Sequence, residues 1–268
     1  MGEDLSMSRA NMKKQLLLAA LMLVALGSNA QTEKGRLTIQ PRVGMTVANF
    51  TGGGSGGALS RFGILRTNSG STTGKVGFTG GADIEYGLSD EWSVSAGVGY
   101  SQLGANDYGK PSMAGTLTDG EKEYWIATAG KNNLKYSLDY LTVPITAAFH
   151  PYKGLSLLAG VQLGLCLGAH AEGSYYVDTG GALQPNTEQT LPSWLTVNRR
   201  GESIDQDFDE YVHKIDLGIP VGIAYEYRNF VVDARYVFGL LNLSKWDFDG
   251  HVRNSVFSLT LGYKFVIK

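Results

Sequence analysis

A single cysteine, Cys166, serves all 268 residues, so no intramolecular disulfide can hold this chain together. Proline is scarce as well, at 7 residues, and only 18% of residues are charged. That composition excludes a disordered or proline-rich chain. Neither sign of charge dominates, with 23 Lys and Arg against 25 Asp and Glu, so there is no electrostatic footprint for nucleic acid. Long apolar runs are missing too: the longest, Leu16 to Leu26, falls short of the roughly 18 residues a membrane-spanning helix needs. If this chain crosses a bilayer, it must do so as a closed barrel.

What the chain does have is glycine, 36 of them, and an N-terminal export pattern. In "MKKQLLLAALMLVALGSNAQ", from Met12, two lysines precede the apolar run, and Ser28 and Ala30 precede Gln31. This layout predicts a secretory leader cleaved after Ala30, with residues 1–11 as an upstream start and residues 31–268 as one barrel domain. Losing Arg9, Lys13 and Lys14 together with Glu3 and Asp4 leaves 20 basic and 23 acidic residues.

The stretch "VGFTGGADIEYGLSDEWSVSAGVGY", Val76 to Tyr100, alternates strictly. Val76, Phe78, Ala82, Ile84 and Tyr86 share one face, and Gly77, Thr79, Gly81, Asp83 and Glu85 share the other. After "SDE" the apolar face resumes at Trp92, Val94, Ala96 and Val98. A two-residue period is a β-strand signature, and the pair reads as a hairpin. Six more segments alternate likewise, around Leu37–Val47, Leu134–Phe149, Leu155–Gly168, Tyr211–Glu226, Phe230–Gly239 and Phe257–Phe265. In the Leu134–Phe149 segment the apolar parity changes between Tyr140 and Leu141, which predicts a bulge near "DYLTVPI", where Pro144 also fits.

Eight strands have seven connections, which are short at "SDE", "HPYKG" and "RN" and long elsewhere. Short turns on one side and long loops on the other are the layout of an outer-membrane barrel. Aromatics cluster at both strand ends: Tyr86, Trp92, Phe149, Tyr152, Tyr227, Phe230 and Tyr263 by the turns; Tyr100, Tyr136, Tyr211 and Phe257 by the loops. They read as two interfacial girdles. A soluble eight-stranded ligand-binding barrel would carry solvated charge on its polar face. Here that face is mostly Gly, Ser and Thr, as a cramped interior requires. The expected fold is therefore all-β, an eight-stranded antiparallel up-and-down transmembrane barrel in the outer membrane.

The segments "DYLTVPITAAFHP", "KIDLGIPVGIAYEY", "VVDARYVFGLLNLS" and "FSLTLGYKF" resemble corresponding stretches of the PorT-like outer-membrane β-barrel family of Bacteroidetes-type bacteria. One position departs from that pattern: such barrels often close on an aromatic residue, whereas Phe265 is followed by "VIK". The resemblance implies an outer-membrane barrel and brings in an accessory role in protein secretion.

Charged residues on the predicted inward face are Arg42, Asp83, Glu85, Asp139, Lys214, Asp216, Glu226, Asp233, Arg235 and Lys264. An eight-stranded barrel is only wide enough for its own side chains, so these charges must pair. They are expected to form a structural network, centred on Arg235 with Asp233, Asp216, Glu226 and Lys264 around it; an ion or proton path is the competing reading. "DQDFDE" sets Asp205, Asp207 and Asp209 at alternate positions, as a calcium loop begins. The glycine that loop needs is Glu210, and its twelfth position is Asp216. It reads as a solvated acidic loop, with weak cation binding open. "TGGGSGG", Thr51 to Gly57, lacks the Lys-Ser/Thr ending of a phosphate loop. His170, His213 and His251, with Asp178, Asp209 and Asp249, lie near the outer rim without a catalytic motif, and His150 belongs to a short turn. The expectation is a non-enzymatic protein without cofactor or metal, acting by binding or structure through its long loops. Its expected partners are outer-membrane lipid, lipopolysaccharide and a protein at the loops. A narrow channel and a secretion accessory are the alternatives.

Overall fold

The computed structural model describes residues 33–52, 72–108, 112–119, 122–180, 199–245 and 251–268. The leader, residues 1–30, and most of "TGGGSGG" lie outside them. Among the described residues eleven strands follow in order: β1 Leu37–Thr51, β2 Thr72–Gly87, β3 Trp92–Asp107, β4 Ser112–Asp119, β5 Lys122–Tyr152, β6 Leu155–Gly180, β7 Arg199–Asp207, β8 Ile215–Tyr227, β9 Phe230–Gly239, β10 Arg253–Tyr263 and β11 Phe265–Val266. A 3-10 turn, Asp209–Tyr211, precedes β8.

Eight of these strands close on themselves. Antiparallel ladders join β1–β2, β2–β3, β3–β5, β5–β6, β6–β8, β8–β9 and β9–β10, and β10 returns to β1. The fold is a closed eight-stranded antiparallel β-barrel. β11 continues the wall by pairing with Thr38 and Ile39 of β1. β4 and β7 are additions, hydrogen-bonded to the far ends of β5 and β6. Two long connections expected as loops are thus partly strand: β5 starts at Lys122 and β6 runs on to Gly180, paired together as far as Ala127↔Gly180.

The alternation is inside out relative to a soluble protein. Met45 is 59% exposed while its neighbour Thr46 is 1% exposed. Val43, Phe78, Ile84, Val98, Ile145, Val161, Leu163, Ile223 and Leu261 share the outer surface with Met45. Such a surface is tolerable only against lipid. Near the short turns Trp92 packs on Phe149 at 5.0 Å and Phe230 meets Tyr263 edge-on at 5.0 Å. The two-residue turn Arg228–Asn229 has both residues at positive φ, 47° and 70°. That geometry matches the right-handed twist of the strands it joins.

The parity change at Tyr140 has a different origin from the one expected. β5 keeps its even residues inward throughout, from Leu134 through Tyr140 to Thr142 and Thr146, all buried. What switches is chemistry. Below Tyr140 the outward residues Leu141, Val143 and Ile145 are apolar and face lipid; above it the inward residues Leu134, Tyr136 and Leu138 are apolar. The change therefore marks where lipid gives way to water outside the wall. The extra residue lies on β6, where Tyr140 pairs with Cys166 but Asp139 pairs with Gly168. This bulge lets Ala169 and Ala171 turn inward above it, with Leu167 the last lipid-facing residue below. Pro144, lacking an N–H, sits where the β3–β5 ladder is interrupted between Ala96↔Ile145 and Gly99↔Thr142.

Candidate functional site

The interior has two storeys. The upper one, beyond the lipid belt, is an apolar plug. Phe50 of β1, Leu103 and Ala105 of β3, Leu134 and Tyr136 of β5 and Val256 of β10 converge there, closed from above by Phe208, Val212 and Leu243. Tyr136 meets Phe208 edge-on at 5.8 Å and 88°, and Phe50 lies 6.4 Å from Tyr136. Tyr136 is therefore core, not girdle, and Tyr211, in the 3-10 turn, packs against the plug.

The lower storey is an ionic lattice. Arg42 Nε donates to Asp83 Oδ2 at 2.8 Å. Arg235 Nη2 donates to Asp233 at 2.6 Å and lies 3.6 Å from Asp83, so one carboxylate bridges two guanidiniums. Lys264 Nζ reaches Glu85 at 2.8 Å and Glu226 at 3.0 Å. Buried ions in such a space persist only when each is paired and hydrogen-bonded. The space left between these groups is about 20 Å³, room for a water molecule.

Seven of the ten inward charges named from sequence meet here: Arg42, Asp83, Glu85, Glu226, Asp233, Arg235 and Lys264. Asp139, Asp216 and Lys214 do not. Asp139 lies on the outward face, which it shares with Leu141, and accepts from the Tyr100 hydroxyl at 2.6 Å. It stands at the upper edge of the lipid belt, where the outer face has become polar. Asp216 is inward but away from the lattice, bonded to Asn254 Nδ2 at 2.7 Å. Arg235 accordingly serves Asp233 and Asp83, while Lys264 takes Glu226. Lys214, also expected inward, is exposed and paired with Asp209 at 2.5 Å, because β8 begins only at Ile215.

Two titratable interior groups escaped the sequence reading. His150 belongs to the lattice, with Nε2 3.8 Å from Glu85 Oε1. Ser93 donates its one hydrogen to Glu85 at 2.8 Å, so at 2.9 Å it must accept from His150, which fixes the imidazole hydrogen on Nε2. Ser156 holds Nδ1 at 2.9 Å. The signal was parity: His150 continues the inward series Thr142, Thr146, Ala148. Lys75 was the other. It shares parity with Gly77, is buried, and donates to the Leu103 carbonyl at 3.2 Å, where the β2–β3 register slips between Gly74 and Thr79.

At the outer rim His170 bridges two carboxylates across β6 and β7, Asp207 at Nδ1 (2.8 Å) and Asp205 at Nε2 (3.0 Å). It lies above Leu167, outside the lipid belt. The hydrogen bond to Asp207, reinforced by the charge of Asp205, raises its pKa. Asp209 is occupied by Lys214, so the three aspartates of "DQDFDE" do not converge. Among the described residues no group of three or more His, Cys, Asp or Glu side chains could hold a metal ion. Asp249 and the side chain of Asp178 lie outside the described residues.

A closed barrel with a lipid-facing apolar belt and a polar lumen defines an outer-membrane protein. The chain belongs to the family of the outer membrane protein beta-barrel domain, whose model matches residues 29–245, and it lies in the outer membrane. Solved structures similar to it include Ail, the attachment invasion locus protein of Yersinia pestis, with 15% identity, coverage of 87% of this chain and 99% of that one, and a TM-score of 0.37. Neisserial surface protein A gives 14%, 85%, 97% and 0.37 in the same order, and OprG from Pseudomonas aeruginosa 11%, 87%, 98% and 0.36. Likeness at this level says nothing about what the present chain does. No curated protein matches it.

Proposed function

We propose that this protein is a closed outer-membrane barrel that acts by binding or scaffolding through its extracellular side, not by conduction. The observation that carries the reading is the doubly filled lumen: the ionic lattice around Asp83 and Lys264 below, and the Phe50–Tyr136–Phe208 plug above. The lattice then serves structure, holding the wall shut by pairing strands across the lumen. What remains for function is the β extension that carries β4 and β7 above the lipid belt. It presents hydrogen-bonding backbone and polar side chains such as Lys135, Glu172 and His170 to the exterior. Lipid packs on the belt, lipopolysaccharide at its outer edge, and a protein partner at the extension. Export through a leader cleaved after Ala30 and a PorT-like membership complete the reading.

Planar bilayers test it. Purified protein should give no steady ion-selective steps, and large stable steps would transfer the assignment to a channel. Cross-linking in intact cells from the extension, at Thr118 and Asp205, should capture a protein or lipopolysaccharide partner. Capture only of components of a secretion apparatus would favour the secretion reading.

A further inference from the structure

Inside the apolar upper storey the hydrogen-bond inventory is one proton short. Asp216 of β8 is 8% exposed and Asn254 of β10 is 2% exposed. Asn254 Nδ2 donates to Asp216 Oδ2 at 2.7 Å and lies 3.5 Å from the Tyr140 hydroxyl. The other oxygen of each group, Asp216 Oδ1 and Asn254 Oδ1, is buried without a hydrogen-bond partner. Both are acceptors in their ordinary forms, so neither can satisfy the other. Among the described residues no Lys, Arg or His lies within ion-pair distance of Asp216, whereas every lattice carboxylate has one.

We infer that Asp216 and Asn254 form a proton-binding site, with the aspartate held as the neutral carboxylic acid. Its Oδ1–H donates to Asn254 Oδ1 while Asn254 Nδ2–H donates to Asp216 Oδ2, closing a cyclic acid–amide pair. One proton gives both orphaned oxygens a partner and removes a buried charge that has no counter-ion. The ligand is the proton itself, drawn from water, and no other bond changes. The titratable groups facing the pair are Tyr140 from β5 and Cys166 from β6, neither charged in its ordinary form at neutral pH. The site lies within the apolar plug: Asn254 is paired with Phe50 of β1 and stands between Val252 and Val256. Losing the proton at alkaline pH leaves a bare carboxylate among these apolar side chains and loosens the plug from within.

Infrared difference spectra of the folded protein at neutral pH test this. The wild type should show the carbonyl stretch of a protonated carboxylic acid, and Asp216→Asn should lack it. The amide keeps one donor and one acceptor in place, so Asp216→Asn should also keep the folded, unboiled gel band to the wild-type temperature and hold it to higher pH. Asn254→Ala deprives the acid of its acceptor and should move the band to higher frequency, a readout that stands even if Asp216→Asn folds poorly. Spectra in which wild type and Asp216→Asn do not differ in that region would overturn the proposal. So would stability that depends on the concentration of sodium or potassium and loses that dependence in Asp216→Asn, which would make the site a metal-cation site.

Discussion

Arg42 reaches Asp83 diagonally. The register sets Gln40 opposite Asp83 and Arg42 opposite Gly81, yet Arg42 Nε donates to Asp83 Oδ2 at 2.8 Å. The reach is possible because the inward face around it is bare. A Cβ on Gly97 of β3 would lie 1.9 Å from Asp83 Oδ1, and one on Gly222 of β8 would lie 2.9 Å from Arg235 Cγ. The glycines of the polar face are the space in which the ion pairs stand.

Gly97→Val is therefore expected to weaken the barrel by about 1–3 kcal/mol through overpacking, by forcing Asp83 off its two guanidiniums. Its neighbour Val98 is the control, since Val98→Leu enlarges only the lipid-facing surface. The temperature at which the folded band disappears on cold SDS gels should fall for Gly97→Val and stay put for Val98→Leu.

Arg235→Leu leaves Asp233 with no cation and Asp83 with one fewer. Breaking a buried pair by removing one partner costs roughly 3–5 kcal/mol. Arg235→Lys should also weaken the barrel, because an ammonium cannot reproduce the paired donors that reach Asp233 from Nε and Nη2. Ala234→Leu, facing lipid, should be near neutral. If Arg235→Leu kept its folded band to the wild-type temperature, the structural reading of the lattice would fail.

Phe208→Ala removes the ring that meets Tyr136 and should cost about 3–5 kcal/mol, as for a buried aromatic elsewhere. It should nonetheless stay silent in planar bilayers, since the lattice beneath is untouched. Conductance in this single variant would mean that the plug alone closes the lumen.

The His170 clamp should be pH-dependent in a defined direction. Its folded-state pKa is raised by Asp207 and Asp205, so the added stability is complete below the unfolded histidine value, about 6.5. It is lost as pH rises through the raised value. The clamp is exposed, so the effect is local: hydrogen exchange in the β6–β7 ladder should quicken across that window in wild type and become flat in His170→Gln.

Orientation can be checked on intact cells. A cysteine at Asp205, on β7 beyond the lipid belt, should react with an impermeant reagent, while one at Asp90, in the short β2–β3 turn, should remain protected. Labelling at Asp90 alone would invert the barrel.

The sequence by itself determined the eight wall strands, most of their faces and the compartment. A period of two is a local property, fixed by which side of the pleat each residue takes, and Met45 and Thr46 sort outward and inward without knowledge of any neighbour. Alternating connection lengths then order the strands into an up-and-down barrel. The tertiary structure alone decided which charges meet. Asp83 finds Arg42 across 41 residues and Asp216 finds Asn254 across 38, because strand register and shear, not spacing, set the facing rows. It also decided where the membrane ends. Parity could place Tyr136 inward, but only the convergence of Phe50, Phe208 and Leu243 on it shows that the upper lumen is dry and apolar. The same boundary puts Asp139 outside the wall, since a strand that leaves lipid exchanges the chemistry of its two faces without turning over.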